Sequence, residues 1–347
     1  MTFLSTATVD HPSGMQAHSQ RSRSKPARGK TKRLSLALQG GGAFGAFTWG
    51  VLDRLLEEEH ITFDAVSGAS AGAMNAVVLA SGLAQGGSEE ARASLERFWR
   101  KVSEAGRPSR LASSNAALNA MVPRLSPYQF NPLDLNPLRD ILAEEVDIDA
   151  VRTKAPVRLL LGTTRVSDGA LRIFGTEEVT EDVVLASACL PHLHHAVTIG
   201  GEAYWDGGYA ANPPLISLVT ATKASDVLVV QIVPSNGSEL PKTSSEIDRR
   251  LDQITFSSSL QKDLEALAMM TKLSQAEREP SNSRLGRKLQ RLQLHRIAAE
   301  DHVDGLSGSK FTDTDWAFLL YLRDQGRAAA DTWLLSQSLD LAMTQSA

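Results

Sequence analysis

The 347-residue sequence has few of the features that mark disulfide-stabilised, secreted or membrane-spanning proteins. Its single cysteine, Cys189, excludes an internal disulfide, and the apolar residues around it favour a buried side chain over a reactive thiol. No run of about eighteen apolar residues occurs, and the N-terminus lacks the compact apolar core of a secretion signal. We therefore expect a soluble, cytoplasmic protein in a reducing compartment.

Aromatic residues are also scarce, at 5% of the chain, and positive charge is concentrated at one end. Residues 1–33 contain seven Lys or Arg side chains and one acid, which gives this stretch a net charge of +6 and leaves −10 for the remainder. This composition predicts a disordered, solvated tail, with contact to anionic lipid or nucleic acid as the alternative. Since no basic and aromatic segment follows the tail, we do not expect nucleic acid as a partner.

From residue 34 onward, strand patterns alternate with helix patterns. An apolar strand pattern at 34–39 runs into a glycine-rich loop at 40–45, which an amphipathic helix pattern follows. A second strand pattern ends at a turn around Ser70, where another helix pattern begins. This βαβα succession predicts a three-layer α/β/α sandwich with a mostly parallel central sheet. Further strands are predicted at 157–164, 171–174, 197–199, 203–205, 226–233 and 292–297.

Residues 34–235 form the predicted core domain, and 236–347 form a mainly helical C-terminal part that packs on it. The proline-rich residues 106–137 predict an irregular insertion, either a lid over the site or a plain connector. Two closing helices are predicted at 313–324 and 327–341. One apolar stripe in the C-terminal part predicts packing on the sheet, with a membrane-facing role as the alternative. It consists of Leu260, Leu264, Leu267, Met270 and Leu273.

The stretch Gly-Ala-Ser-Ala-Gly at 68–72 is the first candidate for catalysis. A serine between Gly68 and Gly72 suits a sharp strand-to-helix turn, because side chains at the two glycines would collide when the backbone folds tightly. Such a turn exposes the Ser70 hydroxyl, and the helix start after it offers unpaired N–H groups and a positive dipole end. The same short pattern occurs in ordinary turns, so the other motifs decide its meaning.

A serine hydroxyl needs a base that takes its proton as it attacks a carbonyl carbon. The sequence offers two candidates for this base. One is the cluster of His192, His194 and His195. The other is Asp206, which leaves a strand end just before Gly207 and Gly208. Because the histidine cluster lacks a carboxylate at ligand spacing, we predict no metal site.

The glycine-rich loop supplies the donors that a developing oxyanion needs. The N–H groups of Gly41, Gly42 and Ala43 follow a strand end, and no bulky side chain obstructs a substrate there. The loop also matches the dinucleotide pattern Gly-x-Gly-x-x-Gly, with Asp64 as a ribose ligand, so a dinucleotide-binding protein is a competing interpretation. That interpretation leaves the turn around Ser70 unexplained. The pattern glycines are Gly40, Gly42 and Gly45.

Three motifs in this order resemble the patatin-like phospholipase family: the loop at 40–45, the turn at 68–72 and Asp-Gly-Gly at 206–208. The resemblance extends over about residues 34–233. It includes the Ala-Ser-x-x-x-Pro stretch at 186–191 and Asn-Pro-Pro at 212–214. It implies an α/β/α sandwich in which a Ser–Asp dyad cleaves acyl esters of lipids without histidine, metal or organic cofactor.

Carried over to this chain, the resemblance makes Ser70 the nucleophile and Asp206 the general base, assigns the oxyanion hole to the loop, and leaves the histidines without a catalytic role. The expected partners are a lipid or other acyl-ester substrate and, transiently, a membrane surface. The loop departs from the family pattern at Phe44, where members often have Lys or Arg, so a general esterase or lysophospholipase is open beside a phospholipase. A catalytically inactive regulatory or lipid-binding member is the remaining alternative.

Overall fold

The computed structural model of the chain describes residues 31–106, 125–236, 240–276 and 281–345. Most of the predicted basic tail and residues 107–124 of the predicted insertion lie outside the described residues. Lys32 and Arg33, which the sequence placed in the tail, instead begin the first strand.

Within the described residues the chain forms eight strands and ten α-helices. The strands are β1 (Lys32–Leu38), β2 (Ile61–Gly68), β3 (Arg158–Arg165), β4 (Leu171–Gly175), β5 (Val197–Ile199), β6 (Glu202–Asp206), β7 (Asp226–Gln231) and β8 (Gln293–Ala298). The helices are α1 (Gly45–Leu55), α2 (Ala71–Ala105), α3 (Pro127–Phe130), α4 (Pro137–Glu145), α5 (Ile148–Lys154), α6 (Glu181–Ser187), α7 (Leu215–Ala221), α8 (Ser244–Ala276), α9 (Arg284–Arg291) and α10 (Trp316–Gln345).

The eight strands join one sheet whose centre is parallel. Strands β3, β2, β1, β7 and β8 lie side by side in that order and run in the same direction. Strands β4 and β6 pair antiparallel with β3, and β5 pairs antiparallel with β6. The carboxyl ends of the parallel strands share one edge, so the loops after β1 and β2 meet there.

Helices cover both faces of the sheet because the central strands are apolar on both sides. Leu36 and Leu38 of β1 belong to a buried cluster that includes side chains of α1, α2 and α10. Ala37, between them, belongs to a second cluster with side chains of α7 and α8. The predicted three-layer α/β/α sandwich with a mostly parallel sheet is therefore confirmed.

The prediction of two closing helices is wrong, since α10 is one continuous helix. Gly326 lies inside it, and a Cβ at this position would sit 2.1 Å from the carbonyl oxygen of Phe47 in α1. A Cβ at Gly50 would likewise sit 1.9 Å from the carbonyl oxygen of Arg323 in α10. These glycines let the two helices approach closely, so Gly326 marks a packing contact instead of a helix end.

The apolar stripe of α8 packs largely as the sequence predicted. Leu260 and Leu267 are buried against the sheet, and Leu264 and Met270 are partly buried against the same cluster. Leu273 is 61% exposed, so the prediction is wrong for this last residue. Among the described helices, none combines the length and apolar character needed to cross a membrane.

Candidate active site

Ser70 lies in the tight turn between β2 and α2. Its backbone has φ 53° and ψ −128°, a conformation that residues other than glycine rarely adopt. Ser187 holds the turn, because its carbonyl oxygen accepts a hydrogen bond from the Ser70 N–H at 2.9 Å and its Oγ lies 3.3 Å from the same nitrogen. The Ser187 hydroxyl donates in turn to the carbonyl oxygen of Gly162 in β3 at 2.6 Å. The strained turn is thus tied to the sheet beside it.

The glycines around Ser70 allow backbone segments to touch one another. A Cβ at Gly72 would lie 2.0 Å from the carbonyl oxygen of Leu38, and one at Gly68 would lie 2.6 Å from Gly72. A Cβ at Gly40 would lie 2.5 Å from the Cβ of Ser70. The glycine-rich loop after β1 and the serine turn after β2 are therefore in direct contact, as the parallel sheet requires.

Asp206 lies close to the serine turn because β2 and β6 pair with the same edge of β3, one after the other. Leu161 of β3 pairs with Gly68 of β2 on one side and with β4 on the other. Two residues further along β3, Thr163 pairs with Asp206, again opposite β4. Asp206 therefore lies on the same edge of β3 as β2, roughly 7 Å beyond Gly68 at the usual strand rise. Ser70 also follows Gly68 by two residues, so the sheet brings the two residues to the same place along this edge, and the Ser70 hydroxyl is near enough to lower the pKa of Asp206.

The Asp206 carboxyl is completely buried. Its Oδ1 accepts a hydrogen bond from Gly208 N–H at 2.7 Å, whereas Oδ2 has no hydrogen-bond partner in the described part of the chain. Burial raises the pKa of Asp206 to about 7, against the smaller, opposite effects of the Gly208 N–H and the Ser70 hydroxyl. The hydroxyl lies near enough to act on the carboxyl, and catalytic contacts often shorten only when substrate binds. A carboxyl with this pKa can exchange a proton near neutrality.

The two glycines after Asp206 make room for neighbouring elements. A Cβ at Gly207 would lie 2.1 Å from the carbonyl oxygen of Gly162, and one at Gly208 would lie 2.4 Å from the ring of Phe256. Close packing on both sides keeps water from the carboxyl, which is the cause of its raised pKa.

The glycine-rich loop is fixed at its start by Asn212. The Asn212 Oδ1 accepts from Gly40 N–H at 2.7 Å, and its Nδ2 donates to Gly40 O at 3.0 Å. Of the three predicted oxyanion donors, Ala43 N–H is engaged, since it donates to the carbonyl oxygen of Phe311 at 2.7 Å. In the described residues, no acceptor bonds to the N–H groups of Gly41 and Gly42.

Phe44, the residue that departs from the family pattern, points into the protein. Its side chain is fully buried. The ring meets Phe311 edge-on with centroids 5.0 Å apart and lies 6.5 Å from the ring of Phe318. The loop therefore offers an apolar contact to the chain segment around Phe311 at the position where family members often have Lys or Arg.

The three histidines contact neither Ser70 nor Asp206 through a hydrogen bond within the described residues. His195 stacks on Tyr128 with centroids 4.1 Å apart. Burial lowers the pKa of His194. His192 lies near Asp252, whose pKa burial raises. No group of side chains in the described ranges is suited to hold a metal ion.

Asp64 does not lie where a ribose ligand is needed. It occupies the first half of β2, where it accepts hydrogen bonds from Thr222 and from Lys223 N–H. The glycine-rich loop lies at the opposite, carboxyl end of the neighbouring strand. The prediction of Asp64 as a dinucleotide ligand is therefore wrong.

Three residues of the site were not identified from the sequence. Ser187 and Asn212 lie in stretches that resemble the family, but only the folded chain shows that they brace the serine turn and the glycine-rich loop. Phe311 carries no sequence signal, because nothing in a lone Phe among polar residues predicts that its carbonyl will reach Ala43.

Comparison with known proteins gives one family match. The family described as Patatin-like phospholipase matches residues 36–219, just over half of the chain. Curated protein sequences give no match. Among solved structures, VipD from Legionella pneumophila aligns at 16% identity with a TM-score of 0.38, covering 86% of this chain and 67% of that one. The heterodimeric ExoU–SpcU complex from the type III secretion system of Pseudomonas aeruginosa aligns at 16% identity with a TM-score of 0.34, covering 87% and 75%.

Proposed function

The chain belongs to the patatin-like phospholipase family, and on this premise we propose that it is a lipid acyl hydrolase that cleaves carboxylic esters with a Ser70–Asp206 dyad. The observation that carries the proposal is the placement of a buried carboxyl, with a pKa of about 7, beside the hydroxyl of a strained serine turn. Asp206 also caps the turn that follows it through Gly208 N–H, but this bond uses only Oδ1, and strained or desolvated groups of this kind concentrate at active sites.

In the first half of the reaction, Ser70 Oγ attacks the carbonyl carbon of the ester while its proton passes to Asp206. The tetrahedral intermediate collapses when the bond to the alcohol oxygen breaks, and the alcohol leaves with the proton from Asp206. In the second half, a water molecule gives its proton to Asp206 and attacks the acyl carbon. The fatty acid then departs and Ser70 Oγ recovers the proton, which restores the starting state.

The oxyanion of both intermediates needs donors that are already in place. We assign this role to the N–H groups of Gly41 and Gly42, which are unused by the described residues, and to Ala43 N–H once Phe311 no longer occupies it. Losing one such donor in other acyl-transfer enzymes costs about 10² to 10³ in kcat.

Phe44 bears on the choice of substrate. Because its buried ring supplies no charge, the loop itself holds no cation for a phosphate-bearing head group. We therefore include neutral esters and lysophospholipids with phospholipids as candidate substrates.

The proposal is tested by a mass-spectrometric screen of lipid classes and activated esters with the wild-type protein and matched variants. Ser70→Ala is expected to abolish turnover, and Asp206→Asn is expected to lower kcat by at least about 100-fold, the usual scale for a lost general base. His192→Ala, His194→Ala and His195→Ala serve as controls that retain activity. A histidine variant as damaging as Ser70→Ala would contradict the dyad.

A further inference from the structure

Both proposed catalytic groups have little or no contact with solvent. Ser70 is 7% exposed and Asp206 is fully buried. Two surface cavities, of about 340 and 660 Å³, are lined by neither residue. The small exposed fraction of Ser70 leaves little room for a lipid ester beside its hydroxyl in this state of the protein.

The chain between Leu306 and α10 lies directly on the glycine-rich loop. We call residues 307–315 the strap. Its Phe311 carbonyl oxygen accepts the hydrogen bond from Ala43 N–H, and a Cβ at Gly42 would lie 2.3 Å from the same oxygen. Further along, Thr314 lies against Gly106 at the end of α2. The strap thus crosses the loop that is expected to bind the substrate oxygen.

We propose that the strap is an autoinhibitory element that occupies part of the oxyanion hole in place of substrate and must lift before an ester can bind. The proposal rests on the proposed function, because it takes the glycine-rich loop as the oxyanion hole. An amide N–H that donates to Phe311 O cannot serve a substrate oxygen at the same distance. A carbonyl oxygen is also the group that the hole is built to receive, which is why the protein's own main chain fits it.

The strap is fixed at both ends and held by few contacts between them, so its middle can move. Before it, Leu306 is buried, and Gln253 Nε2 donates to Ser307 O at 3.0 Å. After it, Trp316 stacks on Trp49 with centroids 6.0 Å apart. Between these ends the ring of Phe311 is the apolar anchor, resting on Phe44 and lying 6.5 Å from the ring of Phe256. Segments held by few buried contacts open at low free-energy cost.

The contrary interpretation is that Phe311 braces the loop in its active shape. The two interpretations predict opposite effects of shortening the side chain at 311. If the strap inhibits, losing the ring loosens the carbonyl from Ala43 and speeds access to Ser70. If the strap braces, the same change disorders the donors and slows reaction.

The first test measures the rate at which a fluorophosphonate labels Ser70 in Phe311→Ala, with Phe318→Ala as the matched control. Phe318 also packs against Phe44 but belongs to α10. We expect Phe311→Ala to be labelled about tenfold faster than wild type and Phe318→Ala to match wild type; tenfold is about 1.4 kcal/mol in the closed-to-open equilibrium. Labelling of Phe311→Ala that is equal to or slower than wild type would overturn the proposal.

The second test locks the strap and does not depend on the fold tolerating Phe311→Ala. A Cβ at Gly106 would lie 3.1 Å from the Cβ of Thr314 and 1.9 Å from its Oγ1, nearer than the roughly 3.5–4.5 Å between the Cβ atoms of a disulfide, so the two segments must separate slightly for the bond to form. Gly106 has φ −75° and ψ −13°, which a cysteine accepts. The double variant Gly106→Cys/Thr314→Cys adds two thiols to a chain whose own Cys189 is buried. We expect the oxidised form to be labelled at least about tenfold more slowly than the same protein after reduction. Equal rates would mean that the strap does not need to move.

Hydrogen exchange at the Ala43 amide tests the position of the strap independently of whether Ser70 is the nucleophile. The Ala43 amide is expected to be protected in wild type and in Phe318→Ala, and to exchange at least about tenfold faster in Phe311→Ala. If fluorophosphonate labels no form of the protein, the assignment of Ser70 as the nucleophile fails. The exchange rate of the Ala43 amide still shows whether the strap covers it. Equal exchange rates of the Ala43 amide in all three proteins would overturn the proposal that Phe311 holds the strap on the loop.

Discussion

Replacing Asp206 by Asn should stabilise the protein at neutral and alkaline pH while it destroys activity. The folded protein keeps a proton on Asp206 up to pH about 7, because burial raises the pKa of this carboxyl from 3.8. The unfolded chain releases that proton near pH 4. Between these values the folded state binds one proton more than the unfolded state, so the stability of the wild type falls as pH rises. The amide side chain of the Asp206→Asn variant cannot ionise and is free of this loss.

The size of the effect follows from the two pKa values. Each tenfold difference in proton affinity corresponds to 1.36 kcal/mol, so a carboxyl moved from 3.8 to about 7 loses about 4 kcal/mol across the window. Asn retains an oxygen to accept the hydrogen bond from Gly208 N–H, so this contact is not lost. The variant should match the wild type near pH 4 and exceed its unfolding free energy by about 4 kcal/mol above pH 7.

The measurement is urea unfolding of both proteins at half-unit steps from pH 4 to pH 8, compared as a difference so that all other titrating groups cancel. Asp168→Asn is the matched control. Asp168 is an exposed carboxylate whose pKa is lowered to about 2 by its hydrogen bond with Arg165. Its contribution is complete above about pH 5, so Asp168→Asn should differ from wild type by a nearly constant amount from there to pH 8.

A constant difference between Asp206→Asn and wild type would refute the reasoning, because it would mean that Asp206 ionises in the folded protein as it does in the unfolded chain. A carboxyl with an ordinary pKa would also be a weaker base toward Ser70. The stability curve therefore tests the electrostatic premise of the dyad without any knowledge of the substrate.

Two further predictions concern the reaction and the serine turn. Since Asp206 must be unprotonated to act as the base, kcat/KM should rise with pH through about 7 and level off above it; a profile already flat from pH 5 would contradict the assignment. Gly72→Ala should lower the unfolding free energy by about 1–3 kcal/mol, because its Cβ would lie 2.0 Å from Leu38 O, whereas Gly308→Ala, with no atom within 4 Å of its Cβ, should be near neutral in the same thermal or chemical unfolding assay.

The sequence predicted those parts of the site that depend on local structure. The strand at β2, the turn at Ser70 and the start of α2 follow from residues that are adjacent in the chain, and glycines on either side indicate how tightly it must fold. The same holds for the loop after β1. Because consecutive parallel strands end at one edge, the contact of Gly40 with Ser70 could be expected before any coordinates.

The approach of Asp206 could not be predicted from its own surroundings. It depends on β6 filling the edge of β3 beyond the point where β2 ends, and this register is set by pairing between residues that are about forty apart. The pattern around Asp206 indicated a strand end but not which strand it joins. Likewise, the sequence predicted two helices, at 313–324 and 327–341, because the contact of Gly326 with Phe47 O that joins them into one packed helix cannot be seen in the local sequence.

Phe44, the departure from the family pattern, is also part of the contact that would keep the proposed strap in place. Phe44 is buried beneath Phe311 and near Phe318, so the charge of a Lys or Arg at this position would have to leave water for a pocket lined by aromatic rings. An unpaired buried charge costs several kcal/mol even after the protein relaxes. If the strap is the inhibitory element proposed above, Lys or Arg at 44 should weaken its seating, because Phe44 is the ring on which Phe311 rests over Ala43.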